Sequence, residues 1–326
     1  MHVIRSASLR PLKNKRLAIL GYGAQGRAQA LNLRDAGFVP RIGLPPRSRS
    51  RQQARRDGFV VTSPVEATAG ADIIFVLAPD HLHGKLYSRD VRPHLRALQT
   101  LVFAHGSSVH FGLIKPPPTV DVILVAPLGP GQRLRELRGR ADGVPCFLAV
   151  HQDASGHARA VALGLARAIG CLPAGAIETT FAAEAVGDLF GEQAVLCGGL
   201  GALLQAGVDT LVVHGLKPAN AYLECVYQLD LIIDLIKSEG LAGMYARISA
   251  TAAYGAKTAG PRVVTPATRR ALDVLFQEID SGRFLHAWMT AAGRHKGKNL
   301  RPTVSSAFRR GERDVLHAFH SVGSHR

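Results

Sequence analysis

Short apolar runs punctuate the first half of the chain, and stretches with helical spacing separate them. Arg16 to Leu20, Val39 to Leu44, Ala71 to Ala78, Thr100 to Ala104, Val120 to Ala126 and Cys146 to Val150 read as strands. Runs of this length, rich in Val and Ile and bounded by Gly, Pro or Asp, suit strands buried on both faces. Ala24 to Ala36 reads as a helix that stops at Gly37, a residue free to take the positive φ of a helix end. Strands alternating with helices predict an α/β, Rossmann-type doubly wound N-terminal domain. After about residue 180 the strands stop, and the periodic runs Asp188 to Ala206, Ala219 to Ser238 and Ala267 to Ile279 predict an all-helical C-terminal domain. The boundary is expected near Ile177 to Ala183, with domains at 1–180 and 181–326. The last thirty-odd residues are basic and poorly periodic, and read as a partly wrapped tail rather than a module.

Composition narrows the class. With 47% hydrophobic and 20% charged residues the chain reads as an ordinary globular protein. Its net charge of +16 raises nucleic acid as a partner. The basic residues, however, are spread along the chain, densest at Arg41 to Arg56 and from Arg294 onward, without the interleaved aromatics of a single-strand-binding surface. No nucleic-acid partner is expected. Nor is a membrane: no apolar run reads as approaching the roughly 18 residues of a span, and the basic start lacks the apolar stretch of a secretory signal. Cys146, Cys171, Cys197 and Cys225 form no CxxC and are expected to be buried free thiols in a reducing cytoplasm.

The sharpest local motif is Gly21-x-Gly23-x-x-Gly26, directly after a strand and opening a helix. Its glycines permit the tight turn, the close approach of backbone to a pyrophosphate, and close helix packing; the helix N-terminus offers N–H groups and a dipole to the phosphates. Tyr22 and Gln25 fall inside this turn and are expected to line the cofactor. An NAD site would place an acid at the end of the second strand. Here the chain reads RIGLPPRSRSRQQARR, with no acid before Asp57. Arg41, Arg47, Ser48, Arg49, Ser50 and Arg51 offer donors suited to a 2′-phosphate. NADPH is therefore expected, with one or two of these arginines touching the phosphate.

In the helical half, Asp188 and Glu192, then Glu224 and Gln228, stand four apart. Each pair occupies one helix face and can aim at one point, the way helical proteins hold two hard divalent cations. On spacing alone such a pair is more often a solvated helix face.

Taken together these residues resemble ketol-acid reductoisomerase in its short form, over nearly the whole chain. The likeness is carried by GYGAQGRAQALNLRDAGF, LAPD (Leu77 to Asp80), FAHG (Phe103 to Gly106), HQDASG (His151 to Gly156), IETTF (Ile177 to Phe181), DLFGEQAVLCGG (Asp188 to Gly199), ECVYQL, and RISATAAYG followed by Gly260-Pro261. The resemblance implies alkyl migration on a 2-acetohydroxy acid and then hydride transfer, using NADPH and two Mg²⁺ ions. It implies that Asp188 bridges the metals, Glu192 binds one, and Glu224 belongs to the second-metal shell. It places Ser249 on the substrate carboxylate, His105 near the nicotinamide and Pro79 beside the cofactor. It also implies a homodimer with interlocked helical domains, the Glu224 helix coming from the partner subunit.

Three positions depart from that pattern. Gln228 stands where the family has a second glutamate, Leu128 where it has a lysine, and Val186 where it has another acid. Hard cations prefer carboxylates to a neutral amide. Tight binding of a second Mg²⁺ is thus expected to be impaired, leaving Mg²⁺ occupancy open, and the migration step with it. An acidic pocket without metals repels an anionic acetohydroxy acid and attracts a cation such as a protonated imine. The expected activity is an NADPH-dependent reduction of a C=N or C=O bond of a small molecule in specialised metabolism, with Asp188 or Glu192 as proton donor. The alternatives are a genuine Mg²⁺-dependent reductoisomerase and a non-catalytic NADPH-binding scaffold.

Overall fold

The structure, a computed structural model, describes residues 1–295 and 302–320. These divide into two compact units, Met1–Gly187 and Asp188 onward.

The first unit is built on an eight-stranded sheet: β1 (Leu17–Leu20), β2 (Arg41–Gly43), β3 (Val61–Thr62), β4 (Ile73–Val76), β5 (Thr100–Phe103), β6 (Asp121–Pro127), β7 (Cys146–Gln152) and β8 (Ala176–Glu178). The strand order is β3-β2-β1-β4-β5-β6-β7-β8. Pairing is parallel from β3 to β6, antiparallel between β6 and β7, and parallel again between β7 and β8. Successive residues of a strand point to opposite faces, so each apolar run feeds two cores. Ile19, Phe75, Val102 and Ile123 join one core; Leu20, Ile74, Leu101 and Leu124 join the other. The first is closed by the Ala24–Asp35 and Ala158–Ala168 helices, the second by Tyr87, Val91, Ile114 and Phe181. That double burial is why these strands read as unbroken apolar runs.

Several expectations need correction at element ends. Val39 is 63% exposed and precedes β2 rather than opening it. Strands β3 and β8, two and three residues long, are absent from the sequence reading. Segments this short carry no periodicity and exist through pairing alone, β3 on β2 and β8 on β7.

Beyond residue 180 the expected helices are interrupted. The stretch from Phe181 to Val213 passes through a π-helical turn at Gly191–Leu196. A second π turn, Leu223–Tyr227, separates Pro218–Tyr222 from Leu229–Arg247. The remaining helices are Ala250–Val263, Pro266–Asp280, Arg283–His295 and Ser306–His320. The last of these corrects the reading of a poorly periodic tail: it packs on Pro218–Tyr222, with Phe308 edge-on to Tyr222 at 5.3 Å and Val315 buried. Its apolar positions, Phe308, Gly311, Val315 and Phe319 among them, recur at helical spacing between charged residues, so this pattern was present in the sequence and the basic composition masked it. Residues 296–301 and 321–326 of that tail lie outside the described residues.

Two bulk expectations change as well. Cys146 and Cys171 are buried free thiols, but Cys197 is exposed and Cys225 half-buried. Phe181–Val213 forms 33 continuous helical residues, apolar and long enough to cross a membrane by length and composition. It escapes notice in the sequence because Glu184, Asp188 and Glu192 break the run into short pieces.

Candidate active site

At the C-terminal ends of the parallel strands the first unit carries two adjoining cavities. The larger, of about 550 Å³, is lined by Gly21, Tyr22, Gly23, Arg47, Ser48, Ser50 and Pro79, with Lys85 and Arg89 at its wall. The other, about 300 Å³, is lined by Gly23, Gln25, Pro79, His83 and His105. Together they form a cleft across the β1 turn, where open α/β sheets bind dinucleotides. Gly26 lies beneath it: a Cβ there would sit 2.6 Å from the Gly21 carbonyl oxygen. Gly21, at φ +115°, has no room for a side chain either, because a Cβ would overlap the Leu77–Ala78 peptide.

The arginines divide by location. Arg47 faces the larger cavity and Arg49 an outward-facing one shared with Arg55 and Arg56. Arg51 donates to the carbonyls of Leu44 (2.6 Å) and Thr62 (3.3 Å), tying β2 to β3. Arg41 stands at the opposite, N-terminal edge of the sheet beside Leu17 and Phe38. Arg41 thus stands away from the cleft, whereas Arg51, engaged through Nη1, also lines the outward cavity with Ser48 and Arg49. Asp57 accepts from Arg27 (2.7 Å), Tyr22 (2.8 Å) and Gln53 (2.9 Å). The Arg27 guanidinium above all holds its carboxyl down at about 2. Burial, then the bond to Asp57, pushes the Tyr22 phenol up. Tyr22 is thus locked by its hydroxyl, packs on Phe59 at 5.9 Å, and offers the cavity its ring.

Gln25 donates through Nε2 to the carbonyl of Gly129 at 2.9 Å, latching the turn after β6 onto the cofactor helix. Leu128, in that turn, is half-exposed.

His105 meets a residue that the sequence reading missed. Glu184 is buried; its carboxylate accepts from the Gly106 N–H at 2.6 Å and from His105 Nδ1 at 3.2 Å. Gly106 allows this approach, since a Cβ there would stand 2.9 Å from Glu184 Oε2. One signal did exist: Glu184 extends the Asp188–Glu192 series by one more helical turn. His83, also missed, is buried behind the same cavity. Its Nε2 donates to the Ala78 carbonyl (2.7 Å), which leaves Nδ1 to accept from the Ser108 hydroxyl (2.7 Å). Burial pushes its pKa down. No spacing in the sequence joins residues 83 and 108.

In the second unit Asp188 and Glu192 are exposed, the latter inside the first π turn. Glu224 lies in the second π turn and is exposed. Gln228 Nε2 donates to the Glu224 carbonyl (3.1 Å) and to its Oε2 (3.3 Å). Ser249 is the N-cap of Ala250–Val263, accepting from the Ala252 N–H at 3.2 Å. Asp188 and Glu192 present hard oxygen donors on one helical stretch, a set that fits one Mg²⁺-like ion. The second pair fits less well, because its amide is a donor already turned onto the one carboxylate present.

Comparison with known proteins agrees with this geometry. Residues 11–175 match the family model described as acetohydroxy acid isomeroreductase, NADPH-binding domain, and residues 181–319 that of ketol-acid reductoisomerase, C-terminal domain. An NADH-preferring ketol-acid reductoisomerase from an uncultured archean is 35% identical, with a TM-score of 0.85 over 99% of this chain and 98% of its own. A semialdehyde dehydrogenase NAD-binding protein from Cupriavidus necator (16% identity, TM-score 0.66) covers 82% of this chain and 98% of its own. A 1-pyrroline-5-carboxylate reductase from Streptococcus pyogenes (16%, TM-score 0.55) likewise covers 82% of this chain and 98% of its own. At such identity the last two share the fold alone.

Proposed function

The chain belongs to the ketol-acid reductoisomerase family and is an NAD(P)H-dependent oxidoreductase; from that premise we propose that it reduces a C=N or, less favoured, a C=O bond with NADPH, the isomerisation step having been lost. The observation that carries this reading is the bond from Gln228 to Glu224. Where alkyl migration needs a full anionic cage for two mutually repelling cations, this chain supplies an amide whose N–H faces the neighbouring acid.

In this reading Gly21, Gly23 and the N-terminus of Ala24–Asp35 bind the pyrophosphate, while Arg47, Ser48 and Ser50 hold the 2′-phosphate. The NADH preference of the archaeal relative belongs to that protein; Arg47 and the lack of an acid at the end of β2 favour NADPH here. When bound, the cofactor supplies a hydride. Glu184 fixes the ring of His105 at the nicotinamide side of the cleft. In the second unit Asp188, Glu192 and Glu224 form an acidic set: once one of the first two has passed its proton to the imine nitrogen, the carboxylates favour the cation formed over an anionic acceptor. Asp188 or Glu192 gives the imine nitrogen its proton; the new C–H bond then forms at carbon as the π pair moves to nitrogen, leaving an amine. A Mg²⁺ ion held by Asp188 and Glu192 would supply Lewis-acid polarisation to a ketone in the same place. Ser249 is assigned to the substrate carboxylate by its place in the family pattern alone. The active form is a homodimer in the cytoplasm, its helical units interlocked.

The test is NADPH oxidation by the purified protein with 2-acetolactate, with and without Mg²⁺, beside a panel of cyclic imines and with NADH in parallel. Metal-independent reduction of an imine, acetolactate inert and NADPH preferred, is the expected result. Mg²⁺-dependent turnover of acetolactate, improved in Gln228→Glu with Leu128→Lys, would establish a genuine reductoisomerase instead.

A further inference from the structure

The turn that leaves β4 is shared by the two cavities of the cleft. Gly23, Ala78 and Pro79 line both, so a ligand that fills both must cross them. This segment is held from two sides. On one, the Leu77 N–H donates to the Leu20 carbonyl at 2.8 Å, and Gly21 lies so close that a Cβ there would stand 2.4 Å from the Leu77–Ala78 peptide. On the other, His83 Nε2 donates to the Ala78 carbonyl at 2.7 Å, closing a loop that returns through the short turn Asp80–Leu82. Pro79 suits that loop: its ring keeps Ala78 extended, and its carbonyl accepts from the Leu82 N–H at 2.8 Å.

His83 is 3% exposed, and both of its ring nitrogens are used. A carbonyl only accepts, so Nε2 carries the proton and Nδ1 takes the hydroxyl of Ser108, itself buried, at 2.7 Å. Burial outweighs the pull of the Asp80 carboxylate, 3.7 Å from Nε2, and keeps the ring neutral. The bond also disposes of a charge problem in the cleft. A carbonyl oxygen left unpaired at this crossing would turn its negative end toward a diphosphate; bonded to His83, it is engaged within the protein.

We propose that His83 is a positioning residue for the cofactor: with Ser108 holding its tautomer, it draws the Ala78 carbonyl out of the path of the diphosphate and fixes Ala78 and Pro79 as the saddle beneath the nicotinamide half. This rests on the reading of the two cavities as the NADPH cleft. The adenosine half, which falls to Arg47, Ser48 and Ser50 on the β2 side, does not depend on His83.

The experiment is calorimetric affinity of the full chain for NADPH and for 2′-AMP, which lacks both the diphosphate and the nicotinamide, in His83→Leu, His83→Gln and Ser108→Ala. Expected in His83→Leu is a loss of at least about tenfold for NADPH, with 2′-AMP within about twofold of the parent. In His83→Gln an amide nitrogen can again donate to the Ala78 carbonyl, and NADPH affinity should return to within about threefold of the parent. Equal losses for the two ligands, a His83→Gln variant no better than His83→Leu, or NADPH affinity unchanged in His83→Leu overturn the inference. A parent protein that binds neither ligand overturns the cofactor reading beneath it, a separate outcome. Should His83→Leu fail to fold, Ser108→Ala decides: an NADPH loss of at least about threefold with 2′-AMP unchanged supports the inference, and no loss overturns it.

Discussion

Asp57 is the first acid after β2, and its position in the sequence leaves open whether it reads a ribose. Folding settles that at the level of single side chains: Arg27, Tyr22 and Gln53 occupy both of its oxygens. With its folded pKa at about 2 against 3.8 unperturbed, the carboxylate is the favoured form in the native state. Its contribution to stability is therefore present above about pH 4 and is lost as pH falls toward about 2. Because Arg27 is half-exposed, solvent screening reduces that contribution to about 1 kcal/mol. Asp57→Asn is expected to lower the urea midpoint at neutral pH and to flatten its fall between those two limits. An acid limb as steep as the parent's would show that the bonds to Arg27 and Tyr22 contribute nothing. Arg51 teaches the same lesson: its charge type was legible, but its donation to Leu44 and Thr62 was not, since those acceptors are backbone carbonyls that any sequence would supply.

Among elements, the turn after β6 does the most for the cleft. Gly129 accepts from Gln25, a bond of about 1 kcal/mol, and Gly131 packs so closely on Ala24 that a Cβ would overlap its carbonyl oxygen. Gly131→Ala should push the turn off the cofactor helix and weaken NADPH binding at least about tenfold, a loss near 1.4 kcal/mol, read by fluorescence titration. Equal affinity would mean that the turn only covers the helix. Strands β1, β4, β5 and β6 were legible because four or more buried residues in succession leave a pattern. The π turns were not, because a single five-residue hydrogen-bonded step, such as Cys197 N–H to the Glu192 carbonyl, leaves the helical spacing of apolar residues on either side unbroken.

For the whole molecule the question is what covers the second unit. Tyr254 is 70% exposed and Leu231 64%, with Leu196, Val213, Leu203 and Phe276 also open to solvent. Exposed apolar surface on this scale marks an interaction face, and a second copy is the occupant the family likeness favours. Sedimentation at micromolar concentration should give the mass of two chains. Leu231→Asp with Tyr254→Asp should raise the dimer dissociation constant by at least about a hundredfold, some 2.7 kcal/mol. A single-chain mass for the parent protein would reject this assignment.

The chain's order of apolar and polar residues determined by itself the doubly wound sheet, the phosphate-binding turn and the helical second half. Each is written in neighbours a few residues apart, where backbone geometry leaves few choices. The i,i+4 acids belong to the same class: helix geometry alone puts Asp188 near the face of Glu192. Only the tertiary structure decided which arginine faces the cofactor cleft and that Glu184 holds His105 from 79 residues away. Those outcomes depend on distant backbone atoms and on burial, and neither is encoded in residue type until the chain has closed on itself.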